Sequence, residues 1–160
     1  MRDLTVYSRN LPHFQSNDLI QFVTFRMADS IPKDCYQLLL EGKTKKPYHS
    51  SLISKYEDSL LGSCTLGLSC CAEKLMSIIV SDMALFRLYA FVIMPNHVHL
   101  LMQTSANESI GQLIGRWKSI SSRNLNAIRG TSGKFWTREW YDHYIRNSAE
   151  FEFYKFYIES

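Results

Sequence analysis

Two histidines separated by one residue, His97-Val98-His99, open an apolar run just after Met94-Pro95-Asn96. The runs Leu88–Met94 and Val98–Met102 are β-prone, and Pro95-Asn96 between them favours a turn. Side chains alternate along a strand, so His97 and His99 project from one face while Val98 and Leu100 take the other. Two neutral imidazoles side by side are half of a divalent-metal site. No cysteine is near in sequence and there is no H-E-x-x-H helix, so oxygen co-ligands and Mg²⁺ or Mn²⁺ suit the pair better than zinc. Such an ion polarises a phosphoryl oxygen. Spacing alone also fits a blander reading, two unrelated polar residues on a half-exposed strand.

A nucleophile is available in the last stretch, Glu150-Phe-Glu-Phe-Tyr-Lys-Phe-Tyr-Ile-Glu-Ser. At about 100° per residue, Phe151, Tyr154 and Ile158 share one helical stripe, and Tyr157 lies off its edge beside Phe153. Periodicity leaves both tyrosines open to an ordinary role as core or rim aromatics. The chemical alternative is that Tyr157 presents its phenol to a metal-polarised phosphodiester and forms a covalent phosphotyrosine.

Cations gather between the histidines and that helix. From Ala106 to Asn147, seven (Arg116, Lys118, Arg123, Arg129, Lys134, Arg138 and Arg146) face three acids (Glu108, Glu139 and Asp142). Trp117, Trp136 and Trp140 are interleaved with them. Phosphate pairing plus base stacking suits a single-stranded or hairpin nucleic acid. A solvated helix face with buried tryptophans explains the same pattern, and Trp117, on the apolar stripe of its helix, fits that version. Trp136 and Trp140 are the stacking candidates. Arg116, Lys118 and Arg123 are candidate phosphate contacts, joined by Lys134, Arg138 and Arg146.

The elements that must position these groups follow from the hydrophobic pattern. Leu19–Met27 alternates as a first strand, with Phe22 and Thr24 on one face, after an irregular lead-in over residues 1–20. Pro32 can open a helix over Lys33–Glu41; Lys43–Ser51 is a polar loop, Leu52–Leu61 a short helix and Gly62–Gly67 a break. Ser69–Ser81 has helical spacing, Phe86–Met94 and Val98–Gln103 are the central strands, and Asn107–Ile128 is a long helix. Phe135–Tyr141 makes a fourth strand and Ala149 to Glu159 a last helix. The order predicts an α+β fold, a ferredoxin-like antiparallel sheet with its helices on one face.

At 160 residues the chain is one domain by size, with 46% hydrophobic and 21% charged residues. A net charge of +3 does not by itself mark a nucleic-acid binder. Cys35, Cys64, Cys70 and Cys71 form no C-x-x-C pair, the N-terminus has no apolar signal core, and no apolar run reaches membrane length. These features predict a reduced, cytoplasmic protein. Monomer and homodimer are both compatible with them.

Taken together, the residues resemble the single-tyrosine transposases with a His-hydrophobic-His (HUH) metal motif, the IS200-like transposases. Within that family the likeness is greatest to the REP-associated tyrosine transposases. It rests on Leu11-Pro-His-Phe, on Phe22-Val-Thr-Phe-Arg-Met-Ala-Asp-Ser-Ile-Pro, and above all on Ala90-Phe-Val-Ile-Met-Pro-Asn-His-Val-His-Leu-Leu. Trp117-Lys-Ser, Gly133-Lys-Phe-Trp-Thr-Arg-Glu-Trp-Tyr-Asp-His-Tyr-Ile-Arg-Asn and Tyr157-Ile-Glu-Ser extend it over almost the whole chain. The resemblance implies cleavage of single-stranded DNA near a hairpin, through a 5′-phosphotyrosine and a free 3′-OH. It implies Tyr157 as nucleophile, rather than Tyr154, Tyr144 or Tyr141, with Mg²⁺ or Mn²⁺ on His97 and His99. Similar proteins continue past the tyrosine into Asn-Pro-Val-Lys, where a polar residue can complete the metal shell. Here the sequence stops at Ser160, three residues after Tyr157. The expectation is therefore a shortened catalytic helix without its third ligand. Two other functions compete: a catalytically impaired hairpin-binding protein, and an unrelated metal-dependent enzyme acting on small phosphate esters.

Overall fold

The computed structural model describes residues 5–8, 12–15, 19–32, 59–105 and 107–160. In chain order the strands are β1 (Thr5–Ser8), β2 (Pro12–Gln15), β3 (Ile20–Arg26), β4 (Phe86–Ile93), β5 (His97–Thr104) and β6 (Tyr141–Tyr144). The helices are α1 (Ser69–Val80), α2 (Ile110–Arg129) and α3 (Ser148–Glu159), with a 3₁₀ turn at Thr65–Gly67. The helix expected over Lys33–Glu41, the loop over Lys43–Ser51 and most of the helix over Leu52–Leu61 lie outside the described residues.

β4, β5, β3 and β6 form one antiparallel sheet in that order. Numbering these four by sequence gives 2-3-1-4, the ferredoxin-like order that the pattern predicts. β1 and β2 pair separately, so part of the lead-in expected to be irregular is a two-stranded ribbon. Its side chains carried no alternation strong enough to mark it.

β3 is buried at six of seven positions and β5 at seven of eight. Such strands must be covered on both faces. Val23, Phe25, Val98, Leu100 and Met102 face α1 and α2, whose apolar stripes supply Leu75, Ile79, Leu113, Ile114 and Trp117. Phe22, Ala90 and Leu101 face the other way, onto Ile158 of α3. This corrects the expectation that the helices share one face. A bulge at Tyr89 shifts the β4–β5 register between Leu88 and Ala90. It lets Tyr89 join Ala90 on the α3 side, where its ring meets Phe151 edge-on at 5.3 Å.

The fourth strand starts later than expected. Phe135, Trp136 and Thr137 are buried consecutively, which an alternating strand with one solvated face does not allow. They form a strap held by a single bridge, Met27 to Trp136, with Ala28 N–H donating to Phe135 O and Thr137 N–H to Arg26 O. Regular pairing with β3 begins at Tyr141. α3 then starts at the N-cap Asn147, whose Oδ1 accepts from Glu150 N–H at 2.9 Å, while the Glu150 carboxylate accepts from Arg146 N–H at 2.7 Å. Among the described residues no helix is long and apolar enough to cross a membrane.

Candidate active site

His97 and His99 begin β5, and alternation points both rings toward α3, as the spacing predicts. Their Nε2 atoms lie 3.0 Å apart. Two ligands in neighbouring octahedral positions, each about 2.1 Å from Mg²⁺ or Mn²⁺, are separated by about 3 Å, so the spacing fits one shared ion. Each outer nitrogen has its own orienting partner. His97 Nδ1 is 2.7 Å from Asn96 Oδ1, and the Asn96 amide is turned that way because its Nδ2 donates to Leu61 O at 3.0 Å. The acceptor fixes the His97 proton on Nδ1 and leaves Nε2 as a lone pair. His99 Nδ1 is 2.7 Å from Thr24 Oγ1 across the sheet, a hydroxyl that can accept from Nδ1–H when Nε2 ligates.

Burial completes the preparation. Desolvation, with the positive charge of Arg26 added, pulls the His97 pKa down to about 4. Desolvation, the neighbouring His97 and Arg26 pull that of His99 down to about 3. Both imidazoles are neutral at neutral pH, the form that binds metal. No cluster of three His, Cys, Asp or Glu suited to a metal occurs among the described residues.

Tyr157 comes from α3 to the same place. Its ring meets the His99 ring edge-on at 5.4 Å, and the residue as a whole is 40% exposed. Tyr154 is stacked on Phe22 at 4.5 Å. Burial, reinforced by Tyr141 and Glu150, pushes its pKa up to about 12, which disfavours the phenolate. Tyr144 lies at the far end of β6, opposite Gln21 rather than Thr24. Phe22 ties the group together, 5.2 Å from His99 and 6.1 Å from Tyr157 between ring centres.

The cationic candidates do not all join a single surface. Lys118, Lys134 and Arg138 line a groove of about 560 Å³ between α2 and the strap, with Gly111, Gly115 and Trp140. Lys118 Nζ donates to Arg138 O across it at 3.0 Å. Arg123 is exposed further along α2, and Arg146 lies over the Tyr144 ring at 5.3 Å. One candidate needs correcting, and another is paired within the fold. Trp136 is only 4% exposed, wedged against Phe25 and Phe135 with its N–H donated to Ser121 Oγ, and offers no free face to a base. Arg116 is bound through two of its nitrogens to Asp82, at 2.9 and 3.1 Å. Asp82 is held by Trp117 N–H as well.

A family model described as "Transposase IS200 like" matches residues 43–160. The chain belongs to the IS200-like transposases. The fold agrees: a REP-associated tyrosine transposase solved bound to a REP hairpin superposes with a TM-score of 0.53 at 14% identity, over 97% of this chain and 70% of the other. A candidate transposase from Deinococcus radiodurans R1 matches 87% of this chain and 88% of its own at 14% identity, with a TM-score of 0.45. A comparison with curated proteins returns no match.

Four residues of this transposase escape a reading of the sequence. Asn96 reads as turn chemistry, yet it orients a histidine. Thr24 and Phe22 were legible only as one face of a strand, because their partner His99 is 75 residues away for Thr24. Arg26 carries the same parity as Thr24 and lies opposite His97, a position visible only once the β3–β5 register is known.

Proposed function

We propose that this IS200-like transposase cuts and rejoins single-stranded DNA beside a hairpin, with Tyr157 as nucleophile and His97 and His99 as ligands to Mg²⁺ or Mn²⁺. The observation that carries this reading is the convergence of two neutral, pre-oriented imidazoles and a part-exposed tyrosine on one face of the sheet. A bound dication would supply polarisation of a phosphoryl oxygen and nothing more. The chain's own residues do the rest. The Tyr157 oxygen bonds to phosphorus as the P–O3′ bond breaks, giving a 5′-phosphotyrosine; the phenolic proton goes to solvent and the leaving 3′ oxygen takes one up. Rejoining is the reverse, with no external energy source because the phosphotyrosine keeps the bond energy.

Hairpin DNA as substrate is supported by the structural relative solved with a REP hairpin and by the lysines and arginine of the α2 groove. The reading further takes the 160 residues as one catalytic domain.

The test mixes the protein with labelled hairpin DNA carrying a single-stranded extension and Mn²⁺, and looks for a covalent adduct on a denaturing gel. Tyr157→Phe keeps the ring and should bind hairpin normally while losing the adduct entirely. Tyr154→Phe should retain most of it. Adduct from Tyr157→Phe would remove Tyr157 from the mechanism; hairpin binding without any wild-type adduct would favour the impaired binding protein instead.

A further inference from the structure

We infer that Phe153 and Phe156 form a stacking platform for the unpaired nucleobases next to the phosphodiester that Tyr157 attacks. This rests on the nucleophile reading above. α3 is apolar on two opposite sides. Phe151, Tyr154 and Ile158 pack against the sheet. Ala149, Phe153, Phe156 and Ser160 are all exposed and, at about 100° per residue, fall within an arc of about 60° on the outward side. Charged and polar residues normally occupy that side of a surface helix. Here it carries two phenylalanines, 63% and 73% exposed, the most open large apolar side chains among the described residues. The Phe153 ring is braced edge-on against Tyr154 at 5.3 Å.

Position, charge and area select the occupant. Tyr157 stands about 40° from Phe153 around the helix axis and follows Phe156 directly, so the patch begins at the proposed nucleophile. Residues three or four apart on a helix have Cβ atoms about 5–6 Å apart, roughly the reach of one nucleotide. A single strand with one phosphate at Tyr157 therefore carries its neighbouring bases over these rings. The acids do not oppose that path. Glu152 and Glu159, with Lys155, lie on the flank away from Tyr157. Glu150, on the near flank, is engaged by His143 Nε2 and by Arg146 N–H, both at 2.7 Å. Area argues against a second copy of the chain. Phe153, Phe156 and the open part of Tyr157 present about 400 Å², roughly half of what each side of a stable interface buries. Every base has a π face, so flat exposed rings hold unpaired bases with little regard to sequence.

The experiment measures binding of the full chain to hairpin DNA with a single-stranded extension, by fluorescence anisotropy in EDTA so that nothing is cut. Abasic sites are walked through the extension, each deleting a base and keeping its phosphate. In wild type, one or two abasic positions beside the cleavage point should each weaken binding about tenfold, the scale of one stacked base. In Phe153→Ala and Phe156→Ala the penalty at the base each ring holds should fall below about twofold, as a pairwise coupling between ring and base requires. Affinity for hairpin without the extension, and the dependence on log salt, should not change, because no phosphate contact is lost. Phe156→Leu keeps apolar area but not the flat ring and should behave like the alanine variant, whereas Phe156→Trp should restore the penalty. Equal abasic penalties in wild type and both alanine variants would overturn the platform, and adduct on Tyr157 in Mn²⁺ would show that the nucleophile reading survives it. A wild-type dimer in sedimentation that the alanine variants dissolve, with abasic penalties unmoved, would overturn it too and make the patch a contact between copies. Adduct that persists in Tyr157→Phe would remove the nucleophile, and the placement of these bases with it.

Discussion

Burial at His97 and His99 makes a proton costly there, and that cost has a measurable sign. In the unfolded chain both titrate near 6.5. In the fold their pKa values are near 4 and 3. Between those limits the unfolded state holds more protons, so stability falls as pH drops below about 6.5 and continues to fall until about 4 for His97 and 3 for His99. The loss at pH 5 is on the order of 2 kcal/mol per histidine relative to neutral pH. Thermal melts in EDTA from pH 7.5 to 4.5 should show this decline, and replacing both histidines with Gln should flatten it. A double variant as acid-sensitive as wild type would place the origin elsewhere. That His97 and His99 share one face was readable from a period of two, whereas periodicity left Tyr154 and Tyr157 both open and only the resemblance singled out Tyr157. Trp136 misled because an aromatic among cations looks the same in sequence whether it faces solvent or Phe25.

The elements were legible where one periodicity ran unbroken, as in α1, α2, β3, β4 and β5, and less so where a segment is defined by its partner. The strap over residues 135–140 has strand-like composition but is held by one bridge to Met27, which no local pattern reveals. Two-sided cover of β3 was not legible, because Gln21, Thr24 and Arg26 interrupt its apolar run and give it the look of a half-solvated strand. A remote loop completes the scaffold behind His97. Gly62 has φ +91°, and a Cβ there would sit 2.6 Å from Asp29 O. Ser63 N–H donates to Asp29 Oδ2 at 2.8 Å, and Leu61 O fixes the Asn96 amide behind His97. Gly62→Ala must push this loop off Asp29, which releases Asn96 and then the His97 ring. Mn²⁺ affinity should fall about tenfold although no ligand is altered, the scale expected for loss of an outer-shell partner. A variant that loses thermal stability yet keeps wild-type Mn²⁺ affinity would break the chain of contacts at Asn96.

On the scale of the molecule, the sheet separates the proposed chemistry from the main cationic groove. Histidines and tyrosine lie on the α3 side; Lys118, Lys134 and Arg138 line the groove between α2 and the strap. Neutralising Lys134 or Arg138 to Gln should weaken hairpin binding and flatten its dependence on log salt by about one unit each. Arg116→Gln should leave that slope unchanged, because its charge is already matched by Asp82. Equal effects from all three would return Arg116 to the contact surface. Phe22 packs beside both halves of the proposed site, with His99 at 5.2 Å, Tyr154 at 4.5 Å and Tyr157 at 6.1 Å from its ring centre. A benzene ring neither compresses nor swells, so it works as a gauge block, helping to set how far α3, with Tyr157, stands off β5, with His97 and His99. Phe22→Leu trims that gauge without touching a ligand or the phenol. Mn²⁺ and hairpin affinity should survive, while adduct formation slows about 100-fold, the penalty expected when a reacting group is displaced by about 1 Å. Adduct at the wild-type rate would mean that α3 takes its standoff from Ile158 alone.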